Sequence, residues 1–276
     1  MVYGRFILII SFLVLAGCSS NSGTSPIQFL SSQNEEAVQW AAWLKADEGM
    51  RLVPSSIYAL NKNIVFLFGS LRTPAPATSV RSFLLRSENG GKNWKEVMQP
   101  VHGSDVIKVL FVNKRTGWAL VAWTTEAPDK LTLYGSKDSG KSWRKLSDIP
   151  KRHYLGWPTN VKFFDEENGQ VEMLYDGTTP YDGFVVLNTS DGGLTWQEVR
   201  SLSLDEYKQK YEKEGETQKQ SADYVSGQDG SLWQLQKQYK LIAIRRRLPT
   251  EDNWRLMFLS PTFFKYSNGQ VLPKSQ

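Results

Sequence analysis

The chain has 276 residues, with 33 Lys and Arg against 28 Asp and Glu and a net charge of +5. That mixed balance, with no basic run interleaved with aromatics, excludes a nucleic-acid-binding protein, and a single cysteine, Cys18, excludes disulfides within the chain. The ten tryptophans are the compositional anomaly; large aromatics bury much area apiece, which suits many packed sheets.

At the N-terminus, Phe6 to Leu15 is apolar apart from Ser11, behind the lone charge of Arg5. A membrane-spanning helix needs about 20 apolar residues, so this shorter run reads as the core of a signal peptide. Leu15-Ala16-Gly17-Cys18 follows and resembles the lipobox of bacterial lipoproteins at all four positions. The resemblance implies a signal peptide over 1–17 and diacylglyceryl and acyl (palmitate-type) modification of Cys18. It also implies a membrane partner reached through that lipid and a cell-envelope location. Ser19 implies outer-membrane sorting, facing the periplasm, in a Gram-negative cell. Residues 18–26 are small, polar and Ser-rich, a flexible tether. The rest, 27–276, is read as one domain.

Residues 27–45 admit two readings. They can supply outer strands to a blade left unfinished by the C-terminus, or Asn34 to Lys45 can form a capping helix behind an Asn N-cap. From residue 55 a repeat begins. "SENGGKNW" (87–94), "SKDSGKSW" (136–143) and "TSDGGLTW" (189–196) share one frame, and their tryptophans stand 49 and 53 residues apart. Before each frame come a strand, a polar turn with Asn, a second strand and a third; a fourth strand follows. Each unit is therefore four antiparallel strands.

The frame has the chemistry of a tight turn. Ser87, Ser136 and Thr189 offer a hydroxyl, and Asn89, Asp138 and Asp191 offer an oxygen to turn N–H groups. Gly91, Gly140 and Gly193 supply positive φ, and Trp94, Trp143 and Trp196 land on the next strand. This pattern resembles the Asp-box, or bacterial neuraminidase repeat, of β-propellers. Gly117-Trp118 adds a distant likeness to propellers of the photosystem II assembly factor type, although the third unit has Gly169-Gln170 there. The resemblance implies an all-β fold, a β-propeller of four-stranded antiparallel blades, about five in number, the last closed by both termini.

Further along, 203–220 is highly charged, with a Ser203/Glu206 capping box, and reads as a helical insert between blades. "SGQDGSLW" (226–233) fits the frame loosely, but "DGSLWQLQ" (229–236) aligns better with "RTGWALVAW", which leaves a degraded frame ending at Trp254.

No catalytic residue, metal site or cofactor is expected. Only two histidines occur, no further cysteine is present, and neighbouring Arg245, Arg246 and Arg247 point to alternate faces of a strand. The sequence-level function is a lipid-anchored, non-catalytic binding or assembly scaffold whose partner is an envelope protein or glycan. Arg152, His153, Tyr154 and Trp157 are its candidate binding surface. The alternative is a glycan-active enzyme of sialidase type, a family whose catalysis uses three arginines on the substrate carboxylate, a Tyr nucleophile backed by Glu, and an Asp acid.

Overall fold

The computed structural model describes residues 50–73, 78–123, 131–150, 156–175, 183–203, 205–206, 224–238, 241–261, 264–267 and 270–273. Cys18, the tether and residues 27–45 lie outside them, as does most of 203–220. At the start of that insert, Ser203 and Glu206 exchange hydrogen bonds, the Ser203 N–H donating to Glu206 Oε2 at 2.7 Å.

Four sheets, each of four antiparallel strands, follow one another along the chain. Blade 1 holds β1 (Arg51–Ala59), β2 (Val65–Arg72), β3 (Ser79–Ser87) and β4 (Lys95–Glu96). Blade 2 holds β5 (Ser104–Phe111), β6 (Gly117–Trp123), β7 (Leu131–Ser136) and β8 (Arg144–Ile149). Blade 3 holds β9 (Gly156–Phe163), β10 (Gly169–Tyr175), β11 (Gly183–Thr189) and β12 (Gln197–Leu202). Blade 4 holds β13 (Val225–Ser226), β14 (Leu232–Gln238), β15 (Leu241–Arg247) and β16 (Arg255–Pro261). Strands lie in sequence order within every sheet, and β1 touches both β5 and β13 while β5 touches β9, so the first strands are innermost. This is a β-propeller of four-stranded antiparallel blades.

The expected fifth blade is corrected. Among the described residues the C-terminal segment forms a two-stranded hairpin, β17 (Phe264–Ser267) with β18 (Gln270–Pro273), and the N-terminal residues expected to complete it lie outside them. Blade 4 packs directly on blade 1, so no fifth sheet stands between them. Trp233, Ile242, Ile244 and Phe258 of blade 4 share one buried cluster with Leu67, Phe83, Leu85 and Trp94 of blade 1. Backbone ties reinforce the contact: the Gln228 N–H donates to Leu60 O at 3.0 Å and the Lys62 N–H to Asp229 Oδ2 at 2.8 Å.

One joint recurs between blades. In blades 1, 2 and 4 the second residue of the second strand is a large aromatic that reaches the corner of the adjoining blade. Phe66 does so at Gly140, where an added Cβ would come 2.5 Å from its ring. Trp118 stacks on Phe163 at 3.6 Å and donates its indole N–H to Gly192 O at 2.9 Å. Trp233 meets Gly91, so blade 4 abuts blade 1 as blade 1 abuts blade 2. Trp233 thus stands in Trp118's place, in line with the second of the two alignments. Blade 3 differs: Gln170 occupies the aromatic's position and its side chain bonds Asn188 within its own blade at 3.1 Å. In blade 4, Glu251 holds the degraded corner instead of glycine, accepting the Leu248 N–H at 3.0 Å and pairing with Arg255 at 2.9 Å.

Candidate functional site

Two ends of the blades carry different structures. The turns between first and second strands and the Trp-bearing corners lie at one end, since Val65 pairs with both Ala59 and Ser87. The opposite end carries the termini of the second strands and the starts of the next first strands.

At the corner end the side chains close on themselves. The hydroxyls of Ser87, Ser136 and Thr189 accept the N–H of Gly91, Gly140 and Gly193 at 2.8, 2.9 and 2.9 Å. The same hydroxyls donate to Asn89, Asp138 and Asp191 at 3.1, 2.8 and 2.8 Å. Asp138 accepts the N–H of Lys141 and Ser142, and Asp191 those of Leu194 and Thr195. Partial burial pushes Asp138 up, but the hydrogen bonds from Ser142, Ser136 and Lys141 outweigh it and hold its pKa at about 2. Hydrogen bonds from the Thr195 hydroxyl and N–H likewise bring Asp191 to about 2. The indoles of Trp94 and Trp143 donate to Gly91 O and Gly140 O, whereas Trp196 donates to the Ser147 hydroxyl of blade 2. Oxygens this fully engaged are poor candidates for acid–base work on an outside molecule.

The opposite end is built differently. All three described long inner strands carry a β-bulge at the same level. Register shifts fall between Pro54 and Ser56 in β1 and between Val106 and Lys108 in β5, and β9 shifts opposite Glu172/Met173. The extra residues are Ser55, Ile107 and Thr159, and all three line one cavity of about 380 Å³. Bulges bend a strand and re-aim its side chains, and they gather beside functional sites.

Polar groups converge on this cavity. The Asp105 carboxylate, whose side chain is 7% exposed, pairs with Arg72 Nη2 at 2.7 Å and accepts the Ser55 hydroxyl at 3.0 Å. The Arg72 Nε–H donates to the Ser70 hydroxyl at 3.0 Å, which fixes the guanidinium plane. Lys108 and Asn160 are exposed on the wall. Trp157 lies at the rim and is 55% exposed, the most open tryptophan among the described residues. Of the four sequence candidates, only Trp157 is described; Arg152, His153 and Tyr154 lie outside the described residues.

Asp105, Arg72, Ser55 and Lys108 were not singled out from sequence. The available signal was a three-residue step in an otherwise alternating pattern: Pro54 to Ile57, Val106 to Val109 and Pro158 to Val161. Each step marks the bulge that brings these residues to the cavity wall.

No protein-family model matches the chain, and no curated protein matches it. Solved propeller structures do. A GH74 xyloglucanase from Xanthomonas campestris is 13% identical over 72% of this chain and 29% of its own, with a TM-score of 0.35. The GH93 α-L-arabinofuranosidase of Fusarium graminearum, in complex with arabinobiose, is 13% identical over 76% and 60%, at 0.37. An α-L-arabinanase from Penicillium chrysogenum, also with arabinobiose, is 11% identical over 74% and 63%, at 0.37. This chain spans less than two thirds of each of them. At such identities the likeness concerns the fold alone.

The expectation of a non-catalytic scaffold, and with it that of a protein that is not an enzyme, is corrected here. The matching propellers named above are glycoside hydrolases.

Proposed function

We propose that this protein is a glycan-active enzyme whose sugar site is the inner-strand cavity. The observation that carries the reading is the convergence of three strand bulges on a pocket that joins an open indole, Trp157, to the Asp105–Arg72 pair. An exposed aromatic face beside fixed hydrogen-bonding groups suits a sugar ring, apolar on its faces and polar at its edge. In this reading Trp157 stacks the ring, Arg72 and Asn160 bind hydroxyls, and Asp105 is the carboxylate that touches the sugar. Glycoside hydrolysis uses two carboxyl groups, and Asp105 is the single one among the described lining residues. The glycan substrates of the matched hydrolases support the same class of ligand.

The test is turnover and binding of a panel of arabino-, xylo- and gluco-oligosaccharides by the purified protein. Trp157→Ala is expected to weaken binding about tenfold, the scale of one aromatic stacking contact, while Asp105→Asn removes turnover with the melting temperature as control for folding. A wild-type protein that neither binds nor cleaves any member would end the proposal.

The corner motifs support placing this propeller among those of the Asp-box type, and the lipobox-like Leu15–Cys18 supports a lipid-anchored protein of the cell envelope. Cys18→Ser is then expected to release the protein from the membrane fraction; continued membrane association in that variant counts against the anchor.

A further inference from the structure

Blade 1 departs from its neighbours at its outer edge. Its fourth strand, β4, has two residues, against six in β8 and six in β12. Beside the shortened strand, at the corner end and away from the proposed sugar site, lies a cavity of about 580 Å³.

Three cations from three separate segments line it: Arg86 from β3, Lys95 from β4 and Lys141 from the corner of blade 2. Arg86 stands opposite Phe66 as Arg246 of blade 4 stands opposite Trp233, whereas blades 2 and 3 have Gly135 and Asn188 at that place. The Arg86 side chain is 4% exposed and firmly held. The Nε–H donates to Ser139 O of blade 2 at 2.9 Å, Nη1 pairs with the Glu88 carboxylate, and the guanidinium lies 6.0 Å from the centre of the Phe66 ring. Lys95 and Lys141 are exposed and form no ion pair among the described residues. Their charges nevertheless reach Glu88: the Arg86 hydrogen bond first, then the charges of Arg86, Lys141 and Lys95, hold that carboxyl below its ordinary value. One carboxylate therefore faces three cations. The side-chain amides of Asn89 and Asn93 add hydrogen-bonding capacity to the wall.

We propose that this cavity binds a phosphate group. Cations approaching from three directions match an anion with three or more acceptor oxygens better than a planar carboxylate, which one guanidinium can satisfy alone. The group can belong to a free phosphorylated compound or to a phospholipid headgroup, and the two sources separate by experiment.

The intact protein is titrated with inorganic pyrophosphate at low and high salt, and in parallel with phosphatidylcholine vesicles lacking or containing phosphatidylglycerol. Saturable pyrophosphate binding that weakens with salt is expected. Lys95→Gln and Lys141→Gln should each weaken it about threefold to fivefold, the scale of one partly exposed charge contact. Glu88→Gln gives the discriminating sign. It removes the competing anion and should tighten binding severalfold, whereas a merely structural Glu88 would give a loss. Binding of pyrophosphate alone assigns a free ligand; added binding of phosphatidylglycerol vesicles, lost in the two lysine variants, assigns a headgroup. No saturable pyrophosphate binding by the wild type, or Glu88→Gln weakening it as the lysine variants do, overturns the proposal.

Discussion

Consider Gly140→Ala. Gly140 has φ of +75°, a region costly for any residue with a Cβ, and alanine there costs about 1 kcal/mol. The added methyl would lie 2.5 Å from Phe66 Cζ, 2.6 Å from Cε1 and 3.1 Å from Phe111 Cζ. Phe66 has nowhere to go: it is fully buried, stacked on Phe111 at 5.3 Å and edge-on to Trp143 at 6.3 Å. Overpacking of this kind adds about 1–3 kcal/mol. Restricting the unfolded chain returns about 0.4–1 kcal/mol, so the net loss is about 1–3.5 kcal/mol. The equivalent substitutions provide the internal scale. At Gly91 (φ +87°) the nearest atom is Met257 Cβ at 3.3 Å, so backbone strain dominates and, after the same gain from the unfolded chain, the loss is about 0.5 kcal/mol or less. At Gly193 (φ +94°) the clash is with the Leu133 Cδ2 methyl at 2.3 Å, the end of a rotatable side chain, and the loss falls between. Urea unfolding followed by tryptophan fluorescence measures all three. Equal losses at the three glycines would refute the packing argument and leave only the shared backbone conformation.

Ser139→Gly should act in the opposite sense. Ser139 has φ of +63°, while the equivalent residues in the other two corners are Gly90 at +72° and Gly192 at +74°. Relief of the strain exceeds the added freedom of the unfolded chain, and a gain of about 0.5 kcal/mol in the same assay is expected. Acid should act through Asp138 and Asp191, whose folded pKa of about 2 lies below the ordinary 3.8. A depressed folded pKa contributes stability that is fully present above 3.8 and is lost as pH falls toward about 2. After screening at these largely exposed corners, the pair is worth on the order of 1 kcal/mol. Asp138→Asn with Asp191→Asn should flatten the loss of stability between about pH 5 and pH 2 relative to wild type; parallel curves would show that the two carboxylates carry none of it. Asn is a fair replacement, since Asn89 holds the same place in the first corner.

How far the sequence reaches is decided by the range of the interactions. The corners were legible because their bonds span no more than four residues, as from Ser136 to Gly140 and from Asp138 to Ser142. Blade number was not. It turns on Trp233 meeting Gly91 and on Gln228 bonding Leu60, contacts between chain segments far apart, for which the local pattern carries no mark. The cavity is intermediate. Its three-residue steps were present in β1, β5 and β9, but that Ser55, Ile107 and Thr159 share one wall follows only from packing the first strands side by side. Trp157 was reached as one of four candidate surface residues, and it stands at the second position of β9, exposed beside the cavity.

Joint and site occupy opposite ends of the same strands, and this arrangement separates what each can tolerate. A corner needs its hydroxyl, acid, glycine and indole turned inward on one another, so it offers little to a ligand, yet Gly140 and Gly91 must also accept the aromatic ring of the neighbouring blade, Phe66 and Trp233. The cavity end imposes no such closure. There the first strands depart from regular pairing, and the departure costs ladder hydrogen bonds. The outer strands β8, β12 and β16 shift register at a common level too; what sets the inner shifts apart is that they bring Ser55, Ile107 and Thr159 to one wall before the buried faces of β1, β5 and β9 resume their alternation at Ile57, Val109 and Val161. The groups exposed at that level are an indole, an amide and an ammonium around a fixed carboxylate–guanidinium pair.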